Sequence, residues 1–219
     1  AERNLKNAEF GVVAKEKPVP FSPENLGQNV NSPDYEYFPV LTADEQTLVF
    51  TRNKRRTGGM DYQEDFYISF LDEKSNAWMP SMNLGKPINT DDNEGAQTIT
   101  ADGKQLFFIG CNRKRTGLGS CDIYKSLRNG NKWGEPVNLG SPVNTSSWES
   151  QPSISADGKT LFFVSNRKGG VGGMDIWVSH LAPNGEWSVP RNLGDVINTP
   201  FSEETPFIHP DGKTLYFTS

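Results

Sequence analysis

Ser155-Ala156-Asp157-Gly158-Lys159-Thr160-Leu161-Phe162-Phe163-Val164-Ser165 decides how this chain is read. Asp-Gly ahead of a β-branched and aromatic run is a hairpin signal, because glycine takes the positive φ that closes the turn without steric cost. Upstream, Ser150 to Ser155 reads as the first strand of that hairpin. Downstream come a Gly-rich loop at Gly169 to Gly173, a strand at Asp175-Ile176-Trp177-Val178-Ser179, a turn at Pro183-Asn184-Gly185 and a last run around Trp187. Four short strands therefore fill one unit of about 55 residues, within the range of propeller repeats.

Working outward, the same unit recurs. Asn-Leu-Gly begins at Asn25, Asn83, Asn138 and Asn192, at intervals of 54 to 58 residues. The hairpin aspartates Asp44, Asp102, Asp157 and Asp211 keep the same beat. Composition agrees with many short strands: 34% of the 219 residues are hydrophobic, while Gly (21) and Pro (15) are abundant. A net charge of −5 argues against general nucleic-acid binding, which needs a cationic surface. No apolar run approaches a membrane span, and the charged stretch Ala1 to Glu9 lacks the apolar core of a signal peptide.

Proline placement predicts where each strand lies. Pro39, Pro152 and Pro206 share one position in the first strand, where a strand paired on both sides would lose a ladder hydrogen bond. The innermost strand of a blade, with its free edge toward the channel, tolerates it. Trp78, Trp133 and Trp187, with Phe21 equivalent, mark the outermost strand. The expected fold is an all-β propeller of four-stranded antiparallel blades in a single domain spanning 1–219. Its blades are expected near 37–82, 96–137, 150–191, and 205–218 completed by 9–24. Two accounts of the ends stay open. Glu9-Phe10-Gly11-Val12-Val13 and Phe21-Ser22-Pro23 complete a fourth blade that ties the ring shut, or the chain is a fragment of a five- or six-bladed ring in a larger multidomain protein.

Residues 155–167 together with Gly172-Gly173-Met174-Asp175-Ile176-Trp177-Val178-Ser179 resemble the WD-like repeat of TolB-type propellers. The Asn-Leu-Gly elements and Ile88-Asn89-Thr90, Val143-Asn144-Thr145 and Ile197-Asn198-Thr199 further resemble propellers of Bacteroidota envelope proteins, some OmpA-like and some associated with type IX secretion. That resemblance implies a periplasmic, outer-membrane-associated protein with a protein partner in the envelope. It would reach peptidoglycan only through a domain outside this chain.

Glu36, Glu94, Glu149 and Glu203 each follow the Asn of Asn-Leu-Gly by eleven residues and are expected at one mouth of the channel. They could form an acidic ring for a cation or basic group, or pair with cations such as Lys54, Arg113 or Arg167. Tyr35, Trp148 and Phe201 beside them, with Arg55, Arg56 and Arg115 from the loops after the second strands, make a candidate partner-binding face. Cys111 and Cys121 end one strand and begin its neighbour, so a disulfide is expected, with free thiols the competing reading.

Catalytic and cofactor motifs are missing: His180 and His209 read as surface substitutions, and no nucleophile elbow, phosphate loop or tetrahedral zinc set is present. The expectation is a non-enzymatic interaction scaffold without cofactor or metal. The alternative is a carbohydrate-active or glycan-binding propeller using the channel-mouth carboxylates.

Overall fold

The computed structural model describes residues 2–16, 18, 20–55, 62–113, 116–130 and 132–219. After one helix, α1 (Glu2–Glu16), every regular element is a strand. The first sheet holds β1 (Tyr35–Leu41), β2 (Thr47–Arg55), β3 (Tyr62–Asp72), β4 (Ala77–Trp78) and β5 (Met82–Asn83). The second holds β6 (Glu94–Ile99), β7 (Gln105–Cys111), β8 (Cys121–Asn129), β9 (Lys132–Trp133) and β10 (Val137–Asn138). The third is β11 (Glu149–Ile154), β12 (Thr160–Ser165), β13 (Asp175–His180) and β14 (Arg191–Asn192), and the fourth is only β15 (Glu204–Ile208) with β16 (Leu215–Thr218). All pairings within the sheets are antiparallel between sequence neighbours, apart from the outermost segments.

Successive first strands β1, β6, β11 and β15 lie against one another, and all four line one axial space. That arrangement of meandering sheets about an axis is a β-propeller. Neighbouring blades are joined at the axis by hydrogen bonds. Thr98 Oγ1 accepts the Ile154 amide at 3.3 Å, Ser153 Oγ accepts the Ile208 amide at 2.9 Å, and Gln97 Nε2 donates to the Phe38 carbonyl at 2.5 Å.

Every first strand carries a β-bulge in the same place, with register shifts at Tyr37/Val40, Gly95/Thr98, Ser150/Ser153 and Glu204/Phe207. Phe38, Ala96, Gln151 and Thr205 open the bulges at φ 49°, 48°, 49° and 53°. A bulge leaves its extra residue out of the ladder. Pro39, Pro152 and Pro206 occupy that unpaired stretch, so the missing N–H costs nothing there. The outer strand is broken in two in blades 1 and 2, with Pro80 and Pro136 in the breaks. The buried hydroxyls of Ser69, Ser126 and Ser179 donate to the outward carbonyls of Met79, Gly134 and Ser188 beside the interruption.

The core is between blades. Phe107 and Ile123 of blade 2 meet Ile154, Leu161, Phe163 and Trp177 of blade 3, all at most 7% exposed. Phe66 of blade 1 meets Ile99, Leu106, Phe108 and Tyr124 of blade 2 in the same way. One repeated device closes these junctions. Asn89 Oδ1 accepts the Phe66 amide and Asn89 Nδ2 donates to the Phe66 carbonyl, both at 2.9 Å. Asn144 does the same for Ile123 and Asn198 for Ile176. Each clamp is itself held by the Asn of Asn-Leu-Gly: Asn83, Asn138 and Asn192 accept from it at 2.8, 2.8 and 2.9 Å. The tripeptide that sets the repeat is therefore the support of an inter-blade hydrogen-bond clamp.

The chain start differs from the expected strand. Glu9 to Val13 lie within α1, and blade 4 gains no strand from 9–24 among the described residues. A lone strand leaves its backbone groups unpaired until it joins a sheet, whereas a helix satisfies most of them within itself. Lys15 in the last turn also complements the helix dipole.

Candidate functional site

Two features could do chemistry: the glutamates at the start of each first strand, and the axial cavity those strands enclose. Glu94 and Glu149 are fully buried and Glu36 nearly so, and each meets an arginine. The ion pairs are Arg52–Glu36 at 2.8 Å, Arg113–Glu94 at 2.7 Å and Arg167–Glu149 at 3.1 Å. The three arginines leave the chain at different places in the repeat, yet their guanidinium groups converge on the same surroundings. Each also donates to the backbone of the inter-blade loop: Arg52 to the Val30 carbonyl, Arg113 to Ile88 and Arg167 to Val143. Each lies over two aromatic rings: Phe50 and Tyr67, Phe108 and Tyr124, Phe163 and Trp177. A second set of donors completes the carboxylates. Thr90 and Thr145 each give an amide and a hydroxyl to Glu94 and Glu149, as Ser32 does to Glu36.

Burial pushes the Glu94 carboxyl above its ordinary range, against the lowering influence of Thr90 and Arg113. Burial likewise lowers Arg167, while Glu149 draws it back up. Sequence reading named Arg113 and Arg167 as partners but gave Lys54 in blade 1, where the structure has Arg52. The usable signal lay beneath it: Phe50 and Tyr67 form an aromatic bed under Arg52 like those under the other two arginines in their own blades.

Glu203 departs from the pattern. It is fully buried, accepts from Thr199 Oγ1 at 2.5 Å and Ser219 Oγ at 3.1 Å, and has no ion pair among the described residues. Its Oε2 is buried without a hydrogen-bond partner among the described residues.

The axial cavity, about 300 Å3, is lined by three residues of each first strand. Phe38, Pro39, Pro152, Pro206 and Phe207 give it an apolar wall, and Gln97, Gln151, Thr98, Ser153 and Thr205 add amide and hydroxyl groups. None of the lining residues is ionisable, and none of the four glutamates reaches it. A second space of about 490 Å3 extends it toward the hairpin turns and shares Pro39, Val40, Thr98 and Phe207 with it. Beside the axis in blade 1, the Tyr37 hydroxyl donates to Glu64; burial, then that carboxylate, pushes the phenol well above its usual range.

The residues of the expected partner face are spread over separate blades. Tyr35 is 69% exposed at the start of β1 and Phe201 is 55% exposed before Glu203. Trp148 is half-buried, bridged in parallel to Cys121 of the preceding blade, and its amide donates to Asn166 Oδ1. Arg55 is exposed at the end of β2, and Arg56 and Arg115 lie outside the described residues. Cys111 and Cys121 are bonded to each other across the β7–β8 pair.

The hairpin aspartates are turn formers. Asp102 and Asp157 accept from Thr100 and Ser155 at 2.6 Å and from the Lys104 and Lys159 amides at 3.0 Å, which hold both carboxyls below their usual range. Two further aspartates went unremarked in the sequence: Asp122 and Asp175, both buried, each accept two loop amides. They fold the Gly-rich loops down onto the next blade. A Cβ at Gly119 or Gly172 would overlap the Ser147 or Thr199 and Phe201 carbonyls, which explains why glycine stands there.

No family model matches the chain, and no curated protein matches it. Solved structures do. A TolB-assigned protein from Agrobacterium tumefaciens is 18% identical over 85% of this chain and 70% of its own, with a TM-score of 0.49. A puromycin-hydrolyzing peptidase of Mycobacterium tuberculosis is 12% identical over 73% of this chain, TM-score 0.47, and this chain spans only 23% of it. An alpha-L-arabinofuranosidase from Lactobacillus brevis is 16% identical over 82% of this chain and 63% of its own, TM-score 0.47. The fold is a β-propeller. The expectation of a non-enzymatic scaffold is corrected at this point: the structures it resembles include a peptidase, an arabinofuranosidase and a luciferin-regenerating enzyme. A missing sequence motif gives no ground for excluding catalysis, because one fold hosts many functions.

Proposed function

We propose that the chain binds an uncharged small molecule with an apolar face in its axial cavity, a neutral sugar ring being the class to test first. The observation that carries this reading is the lining itself: aromatic and proline surfaces beside amide and hydroxyl groups, with no ionisable side chain, in a space of about 300 Å3. Pockets of that size, mostly apolar with a few placed polar groups, suit small ligands. A charged ligand would be desolvated there without a counter-charge, which is costly. The channel-mouth glutamates enter this reading only as supports, since three of them are already engaged by arginine.

Saturation-transfer NMR against a panel of neutral mono- and oligosaccharides tests the reading, with the same mixtures followed for hydrolysis. Thr205→Phe should fill the cavity and abolish the signal, and Phe38 already holds an aromatic side chain at the same left-handed backbone position. Absence of any bound neutral compound, or binding that survives Thr205→Phe, would sink it.

The setting we propose is an oxidising envelope compartment of a Bacteroidota-like cell, in the manner of the OmpA-like and type IX secretion-associated propellers. The Cys111–Cys121 bond supports it, because such bonds persist outside the reducing cytosol. Two alkylatable thiols in protein trapped directly from cells would count against it.

A further inference from the structure

Between the outer strands of blades 1 and 2 lies a groove of about 630 Å3 that collects cations. Its apolar wall is Ile68, Leu84 and Trp133, the last two packed against the core that the blades share. Lys86, Arg128 and Lys132 line it from three separate segments: the loop after Asn83-Leu84-Gly85, the end of β8 and the short strand β9. None of the three has an ion pair among the described residues, and no carboxylate lines the space. The Arg128 guanidinium lies 5.9 Å from the centre of the Trp133 ring, which keeps it beside the apolar wall.

The junction of blades 2 and 3 shows that the architecture does not require these charges. There Ser141 follows Asn138-Leu139-Gly140 as Lys86 follows its own tripeptide, Leu181 bridges Trp187 as Arg128 pairs with Trp133, and Glu186 precedes Trp187 as Lys132 precedes Trp133. Lys125, at the place of Ile68, is offset by that Glu186. On a chain of net charge −5, the cations are gathered at one junction and not at its neighbour. The polar side chains of the groove are also donors alone. Asn83 is spent inside the blades, its Oδ1 accepting from Gly85 and Asn89 and its Nδ2 donating to Asp65. A peptide would bring amide donors that these side chains leave unmet, whereas a carboxylate brings only acceptors.

We propose that this groove binds a small amphipathic acid, its acyl or aryl body against Ile68, Leu84 and Trp133 and its carboxylate among Lys86, Arg128 and Lys132. The space is of the size that takes a small ligand. Burying the body supplies the apolar contribution, and charge-assisted hydrogen bonds to the guanidinium and ammonium groups select the acid over a neutral compound. The groove shares no lining residue with the axial cavity and takes the opposite class of ligand, so each reading can fail without the other.

Octanoate is the probe. Calorimetric titration should saturate, and octanamide, which keeps the chain and loses the charge, should bind at least about tenfold more weakly. The variant Lys86→Ser/Arg128→Leu/Lys132→Glu, which installs the residues of the next junction, should weaken octanoate binding by about the same factor. The comparison of acid with amide leaves the protein unaltered, so it decides the matter even if the triple variant does not fold. A diazirine-bearing analogue of the acid should label the segment Met82 to Pro87 or the strand Lys132–Trp133. No saturable binding, equal binding of octanamide, undiminished binding by a folded triple variant, or label on the axial strands β1, β6, β11 and β15 in place of the groove would overturn the proposal. So would an alternating Glu-Leu peptide that binds where octanoate does not, which would make the groove a protein-docking surface.

Discussion

The junction between blades 2 and 3 and the two ends of the blade series are built from the same parts and satisfied to different degrees. At the junction, Leu161 and Phe163 are fully buried, Asn144 clamps Ile123, and Glu149 holds Arg167. At one end Val30, Leu48, Phe50, Tyr67 and Trp78 form the matching half of such a core. There Asn31, the counterpart of Asn144, keeps a buried Oδ1 with no partner among the described residues. At the other end Glu203 has no ion pair among the described residues, and Phe207 and Tyr216 are 48% and 58% exposed. One sequence pattern thus yields a full set of interactions only where a neighbouring blade supplies the other half. Stability in a repeat protein is a property of interfaces as much as of units.

The sharpest way to break that comparison is at the carboxylates. Glu149→Gln leaves Arg167 buried with its charge uncompensated, a change that costs about 3–5 kcal/mol in buried pairs. Glu203→Gln removes a charge that has no ion pair among the described residues and should cost less than about 1 kcal/mol. Urea unfolding of both variants measures the difference; equal losses would mean that Glu203 is compensated by something other than an ion pair. The clamps give the next contrast. Asn144→Ala strands the Ile123 amide and carbonyl in the core and should cost about 2–4 kcal/mol, while Asn31→Ala, whose Oδ1 is already unpartnered, should stay within about 0.5 kcal/mol.

Blades 2 and 3 differ in how the loop after the second strand is held. Cys111 and Cys121 cross-link it in blade 2, where blade 3 has Asn166 and Met174 in the corresponding positions. Reduction should lower stability by about 2–3 kcal/mol in the chain-entropy account of a closed loop this short. Thermal melts with and without reductant, on wild type and a Cys111→Ser/Cys121→Ser double variant, check it. If the reduced protein melts with the oxidised one, the buried Asp122 with its two loop amides holds this loop unaided.

What could be read in the sequence follows the same division. Hairpins, repeat length and the innermost position of the proline-bearing strand were legible because glycine, proline and Asp-Gly report local backbone demands directly. The first-strand bulges were not. Their left-handed residues are Phe38, Ala96, Gln151 and Thr205, none of them glycine, and the strain is held by inter-blade hydrogen bonds that only the assembled fold supplies. Arg52 was missed because the seat is defined in space while the arginine approaches from three chain positions. Residues 9–13 looked like a strand through Phe10, Val12 and Val13, but no sheet edge pairs with them and the segment is helical.

The smallest expected effect compares the hairpin of blade 1 with the other three. Gly103, Gly158 and Gly212 take the left-handed turn position at φ 66°, 71° and 67°, while blade 1 puts Glu45 there at 58°. A side chain in that conformation costs roughly 1–2 kcal/mol, because Cβ crowds the following carbonyl. Glycine avoids the crowding but loses more backbone freedom on folding, about 0.5–1 kcal/mol. The balance leaves Glu45→Gly more stable by about 0.5–1 kcal/mol, a melting-temperature rise of a few degrees at most. Gly158→Ala should move the opposite way and further, since its Cβ would also meet Thr100 Cγ2 at 3.2 Å. A Glu45→Gly variant that melts lower than wild type would show that the Glu45 side chain holds the first hairpin through contacts the other three blades do without.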